Sequence, residues 1–137
     1  MGDIVNYIKR HEEGIEVNTE NGSKILNTSL KKYINKLCMK NLSTYDGRRE
    51  ALSMLLGENN NIPIYVDKEI ILYPVKSIRV YNTVFVNFNE VLSVKMVGIG
   101  YTKFIFTNLS EVKLEVSIHK VRKQHARIQK ILEYLSD

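Results

Sequence analysis

The sequence predicts an α+β protein: a mostly antiparallel β-sheet or barrel, two short N-terminal helices and a basic amphipathic C-terminal helix. Three observations carry that reading. Between Ile62 and Ser117, short runs of β-branched and aromatic residues alternate with turn residues, the pattern of consecutive antiparallel strands. Between Thr28 and Gly57, capping residues bracket two stretches with helical apolar spacing. After Ser117, apolar residues recur in steps of three and four among lysines and arginines.

In chain order, residues 1–22 read as an acidic N-terminal segment, and Asn21-Gly22 signals a turn that closes a small hairpin after Ile15 to Thr19. Thr28 or Ser29 caps a first helix in which Leu30, Ile34 and Leu37 share a face. Arg48 to Leu56 forms a second helix, with Ala51, Leu52, Leu55 and Leu56 on its apolar side and Gly57 as its C-terminal cap. Strands are expected at 62–66, 70–75, 78–81, 84–88, 91–97, 103–107 and 112–117. Asp67-Lys68, Asn89-Glu90, Gly98-Ile99-Gly100 and Asn108-Leu109-Ser110 separate several of them. Pro63 and Pro74 suit strand ends or edges, because proline cannot donate to a ladder. Residues 117–135 form the last helix, with Ile118, Val121, His125, Ile128, Leu132 and Leu135 as its packing stripe. With 137 residues and no internal repeat or linker, residues 1–137 are expected to form a single domain.

Composition narrows the class. The apolar content of 44% is ordinary for a globular chain, and no apolar run approaches the roughly 20 residues of a membrane span. Met1 to Arg10 lacks a signal pattern, and Cys38 is the only cysteine, so no intrachain disulfide is possible. A soluble, cytoplasmic protein without a membrane role is expected. The net charge of +5 is unevenly placed: residues 1–22 hold five acids against two bases, and the rest holds 18 bases against 10 acids. A body this basic steers toward polyanions, nucleic acid first.

Residue chemistry offers little to an enzyme. His11, His119 and His125 lack metal-site spacing, Gly98-Ile99-Gly100 reads as a hairpin turn, and there is no P-loop. Cys38 reads as a small core residue, and nothing selects a carboxylate pair for acid–base work. No catalysis, metal or cofactor is therefore expected. The C-terminal helix is more telling. Lys120, Arg122, Lys123, Arg127 and Lys130 occur with no acid from Val116 to Leu132, whereas a merely solvated helix usually mixes signs. A phosphate-contacting face accounts for that asymmetry. Among Tyr73, Tyr81, Phe85, Phe88, Tyr101, Phe104 and Phe106, alternation along strands assigns most rings to the core rather than to base stacking.

The chain resembles the ComK family of competence transcription factors over about residues 25 to 130. Cys38 is followed by Ser43, Thr44, Tyr45, Gly47 and Arg48, like the family's cysteine and Ser-rich Tyr-x-Gly-Arg. "IPIYVD" (62–67), "IILYPVKSI" (70–78) and "TVFVNFNEV" (83–91) match successive family segments. In residues 104–128, Phe106, Asn108, Leu114, Ser117, Gln124 and Arg127 fall on the family's last motif. The chain departs from the pattern in having no tryptophan and in placing Leu109 where a turn glycine is expected. It ends at Asp137, so the adaptor-mediated proteolysis that longer members undergo through a tail is not expected. A fainter likeness to LytTR-type DNA-binding domains lies in residues 79–94 and 111–123.

The ComK resemblance implies a transcriptional activator without a cofactor. It implies binding to A/T-rich double-stranded DNA, chiefly through the minor groove, as a homodimer or higher oligomer associated with the nucleoid, and control of competence or DNA-uptake genes. Arg48, Arg49, Lys76, Arg79, Arg122, Lys123 and Arg127 are the candidate DNA contacts, and Tyr45, Gly47, Asn108, Ser117 and Gln124 are family-motif residues. The stretch "STYDGRREA" (43–51) reads as a loop entering a helix, with Gly47 in a tight turn, Arg48 solvated or paired with Asp46, and a corner that the resemblance turns toward DNA. The alternative is a basic protein-interaction module, or a shorter ComK-like partner that modulates a full-length regulator without binding DNA itself.

Overall fold

The computed structural model describes residues 3–136. Three strands open the chain: β1 (Val5–His11), β2 (Gly14–Thr19) and β3 (Gly22–Leu26). Two helices follow, α1 (Leu30–Met39) and α2 (Tyr45–Leu56), then β4 (Ile64–Tyr65), β5 (Ile71–Pro74) and β6 (Val84–Asn87). These six strands form one antiparallel sheet in the order β3-β2-β1-β6-β5-β4. A second antiparallel sheet takes β7 (Val91–Gly98), β8 (Tyr101–Phe106) and β9 (Glu111–Leu114), and α3 (Ile118–Leu135) completes the chain. Neither sheet closes, so the sheet-or-barrel alternative resolves as two open sheets.

Both faces of the large sheet are covered. On one face, Ile8, Ile15, Val17, Leu72 and Phe85 pack with Leu30, Ile34 and Cys38 of α1 and with Tyr45. On the other, Tyr7, Tyr73, Val84 and Val86 meet Phe104 and Phe106 of the small sheet and Val121 and Ile128 of α3. Strands β5 and β6 are consequently buried at every position, which is why their sequences read as continuous apolar runs. Asn87, fully buried in β6, is tolerated because its side chain works as a connector. It donates to the Val5 carbonyl at 2.9 Å and accepts from the Ile71 amide at 3.1 Å. At the β4 edge, Leu52 and Leu56 of α2, Ile62 and Ile131 of α3 make a third cluster that shields the short edge strand.

Local signals set most element ends. Ser29 caps α1, with its hydroxyl accepting from the Lys32 amide at 3.2 Å. Gly57 ends α2 in the left-handed conformation, φ 67°, that glycine adopts without strain. Ser117 caps α3 by accepting from the Lys120 amide. The turn at Leu109 has φ 71°, so the backbone takes the form that a glycine would suit, and the leucine accepts it on the surface.

Three expectations change. Residues 1–22 are more than an acidic segment: β1 is an interior strand, with Tyr7 and Ile8 opposite Val86 and Phe85 of β6. Glu12 and Glu13 fall in the β1–β2 turn, and Glu16 lies across from Lys9 at 3.9 Å. Residues 78–81 form no strand, because the Arg10 guanidinium donates to the carbonyls of Ile78, Val80 and Tyr81, which a ladder would otherwise occupy. The buried stripe of α3 is Val121, Gln124, Arg127, Ile128 and Ile131; of the expected stripe, Ile118, His125 and Leu132 are half-buried and Leu135 is exposed.

His125 anchors α3 to the large sheet. Its Nε2 shares a hydrogen bond of 2.7 Å with the hydroxyl of fully buried Tyr73, and its ring stands edge-on to Tyr73 and Phe88. Burial holds the imidazole below its ordinary value of 6.5, and burial keeps Tyr73 protonated. A histidine with a depressed pKa stabilises the fold above its unfolded pKa, and that contribution is lost as the pH falls below it. The urea midpoint of the wild type should therefore drop more between about pH 7.5 and pH 5.5 than that of His125→Gln. Parallel midpoints for the two proteins would show that His125 titrates without consequence.

Candidate nucleic-acid interface

The corner at Tyr45 is built for folding. Thr44 caps α2 by accepting from the Gly47 amide at 2.9 Å, so Gly47 lies in the first helical turn rather than in a tight loop turn. A Cβ on Gly47 would stand 2.9 Å from that same hydroxyl, and glycine leaves the cap its room. Tyr45 is buried, and its amide donates to Asn35 Oδ1 at 2.8 Å, tying α2 to α1. Asp46 pairs with Lys31 at 3.2 Å rather than with Arg48. Arg48 is half-buried, with its Nε shut from solvent and without a hydrogen-bond partner among the described residues. Burial raises the Cys38 thiol, opposed by the Arg48 charge, so the thiol is a poor nucleophile.

Beyond Gly57 the chain crosses from α2 to β4 through Glu58, Asn59, Asn60 and Asn61. Side chains from two helices grip the backbone of this loop. Arg49 of α2 donates to the Asn59 carbonyl at 2.7 Å. Arg127 of α3 donates through Nη2 to the Asn60 carbonyl at 2.9 Å and through Nη1 to Asn61 at 3.1 Å. Gln124 donates to Asn61 at 2.7 Å and to the Pro74 carbonyl at 3.1 Å, and its Oε1 accepts from Arg127 at 2.8 Å. Glu58 completes the arrangement, 3.4 Å from Arg127 Nε and 3.8 Å from Lys123 Nζ. Asn61 has φ 51°, a left-handed bend that asparagine tolerates better than most residues.

The gripped loop forms a ridge between two basic grooves, both of which it lines through Asn59, Asn60 and Asn61. On the α3 side, a groove of about 310 Å³ carries Lys120, Lys123 and Arg127. On the α2 side, one of about 750 Å³ carries Lys31, Arg49 and Arg79. Pro74 forms part of both floors. Cations thus stand on either side of this exposed loop, with Glu58 beside Lys123 in one groove and Asp46 beside Lys31 in the other.

Of the sequence-expected contacts, the structure brings Arg49, Arg79, Lys123 and Arg127 to these grooves. Arg127 is only 8% exposed, and its guanidinium faces the loop carbonyls, so its role is to hold the ridge rather than to reach a phosphate. Arg122 is exposed on α3. Lys76 lies elsewhere, ion-paired with Glu115 beside Lys9, Arg10 and Lys113. Gln124 and Ser117 support α3, and Asn108 closes the β8–β9 turn by accepting from the Ser110 amide at 3.2 Å. Lys31 and the ridge itself are not among the sequence-expected contacts, whereas Lys120 falls on the phosphate face expected for the last helix. The sequence signal is three consecutive asparagines that begin two residues after a helix-ending glycine. Among the described residues no cluster of His, Cys, Asp or Glu could hold a metal, and no helix is long and apolar enough to cross a membrane.

Arg127→Met should lower stability by about 2–3 kcal/mol, because charge-assisted bonds to two carbonyls and to Gln124 are lost together. Chemical denaturation checks this, and a change within about 0.5 kcal/mol would mean that the loop is held without it.

Comparison with known proteins gives one family. The family model described as ComK protein matches residues 4–137, and the chain belongs to that family. No curated protein and no solved structure matches. The family is one of competence-type transcription factors that bind DNA.

Proposed function

We propose that this ComK-family chain is a sequence-preferring transcriptional activator of double-stranded DNA that engages A/T-rich sites through the minor groove. The observation that carries the reading is the Asn59–Asn61 ridge with basic grooves on both flanks. A minor groove is about 6 Å wide and admits a single loop, whereas an α-helix about 10 Å across does not fit. Lys31 and Arg79 on one side and Lys120 and Lys123 on the other then lie toward opposite phosphate strands. A/T-rich tracts narrow the groove and deepen its negative potential, which favours arginines at its mouth. Arg122 extends the phosphate face along α3. The chain acts as one domain without catalysis, in the cytoplasm at the nucleoid, on competence or DNA-uptake genes.

Five phosphate contacts, from Lys31, Arg79, Lys120, Arg122 and Lys123, correspond to a slope of about −4.5 in the logarithm of affinity against that of salt concentration. Gel shifts with A/T-rich and G/C-rich duplexes at two salt concentrations should show that dependence and an A/T preference. Combining Arg79→Ala with Lys120→Ala should flatten the slope by about two. Absence of retention on either duplex would favour the protein-interaction module instead, and a slope unchanged in the double variant would place the phosphate contacts elsewhere.

The second copy of a homodimer fits the β7–β8 hairpin. β7 is the outer strand of its sheet, and it leaves an eight-residue edge unpaired. Leu92, Met96 and Ile99 on this hairpin are 58%, 62% and 101% exposed, unusual for a long edge strand. With Val97 and Tyr101 they present on the order of 500 Å² of surface, the larger part of the roughly 800 Å² that each partner of a standard interface buries. Two such edges can pair around a twofold axis with the same residues on each side. Combining Met96→Lys with Ile99→Lys should convert a dimer to a monomer in sedimentation, and an unchanged dimer would place the interface elsewhere.

A further inference from the structure

Three side chains turn the carbonyls of the Asn59–Asn61 ridge inward. Arg49 takes Asn59, Arg127 takes Asn60 and Asn61, and Gln124 also takes Asn61. This has two chemical consequences. Carbonyl oxygens, which would repel phosphate and compete for the asparagine amides, are withdrawn from the surface. Asn59 and Asn60 themselves remain exposed. The Asn59 side chain lies 2.8 Å from the Ser53 hydroxyl, whose single proton the Glu58 carbonyl also attracts, so Asn59 is partly engaged. Among the described residues, no hydrogen bond engages the Asn60 side chain. Unlike a lysine, an exposed amide adds nothing to charge attraction; what it can supply is directional hydrogen bonding. Three polar side chains buried or half-buried to hold one loop backbone is more than a surface connection needs.

We infer that Asn60, assisted by Asn59, reads base edges in the minor groove, and that Arg127, Gln124 and Arg49 are its positioning residues. The inference rests on the proposed DNA-binding function and assigns its specificity to a different set of atoms. In the minor groove, A·T and T·A pairs both offer only the acceptors adenine N3 and thymine O2, whereas guanine interposes its N2 amino group. An amide NH₂ held at the floor donates to those acceptors and meets a competing donor at G·C. The ridge thereby discriminates A/T from G/C without telling A·T from T·A. The flanking cations supply affinity that is indifferent to sequence.

The test uses three duplexes of one length: A/T-rich, G/C-rich, and the G/C-rich sequence with inosine in place of guanine. Inosine removes the N2 amino group and leaves the major-groove edge of guanine in place. The wild-type chain should prefer the A/T-rich over the G/C-rich duplex by roughly tenfold or more, and should bind the inosine duplex like the A/T-rich one. Asn60→Ala, and the double variant with Asn59→Ala, should bring all three affinities within about twofold of one another while keeping the wild-type salt slope. Unchanged thermal melts would show that both variants are folded. Persistence of the A/T preference in the folded double variant would overturn the inference and leave groove width, sensed by the arginines, as the source of specificity. Failure of the wild type to bind any duplex would overturn the DNA-binding reading itself, and the inference with it.

Discussion

The guanidinium of Arg127, almost closed off from solvent, is held between Gln124, Glu58 and the carbonyls of Asn60 and Asn61. A cation withdrawn from water must be compensated by charge or by well-placed acceptors. Burial pushes the Arg127 pKa down and the Glu58 carboxylate opposes it. Any other path for the loop would orphan that cation, so the seating of α3 and the path of the loop are set together. Gln124 extends the coupling to β5 through the Pro74 carbonyl. Helix, loop and sheet edge thereby behave as one unit.

The architecture explains why this grip lies where it does. A large sheet with both faces covered sends α1 and α2 to one side and the small sheet with α3 to the other. Layers on opposite faces can meet only around an edge, and here they meet at β4, through Leu52, Leu56, Ile62 and Ile131. The loop that crosses this seam has a helix on each flank, and each helix brings cations. A ridge between two basic grooves follows from wrapping that edge.

The basic residues divide into those used inside and those left outside. Arg10 closes the 78–81 turn, Arg48 is half-buried behind Cys38, and Arg127 holds the ridge. Arginine suits such work because its planar fork serves several carbonyls at once. Arg79, Lys120, Arg122 and Lys123 point the remaining charge at solvent. The count of 20 lysines and arginines thus overstates how many cations can meet a phosphate, and only burial tells the two groups apart.

Much of the fold was legible because its signals are local. Ser29, Gly57 and Ser117 mark helix ends by their own hydrogen bonds and backbone angles, and Gly98-Ile99-Gly100 and Asn108-Leu109-Ser110 mark turns between strands. The ComK motifs were legible too, and Tyr45, Gly47 and Gln124 make hydrogen bonds that secure the fold. The interior position of β1 could not be read, since its Lys9, Arg10 and His11 look polar until β6 and the 78–81 turn are placed beside them. By itself, then, the sequence determined the fold class, the element ends and the family, all of which depend on neighbours along the chain. The tertiary structure alone decided which arginines are spent on carbonyls and which face solvent, and that three asparagines form a ridge between two grooves. Those outcomes depend on residues more than sixty positions apart, Asn61 and Gln124 among them, whose contact exists only once two layers close around a sheet edge.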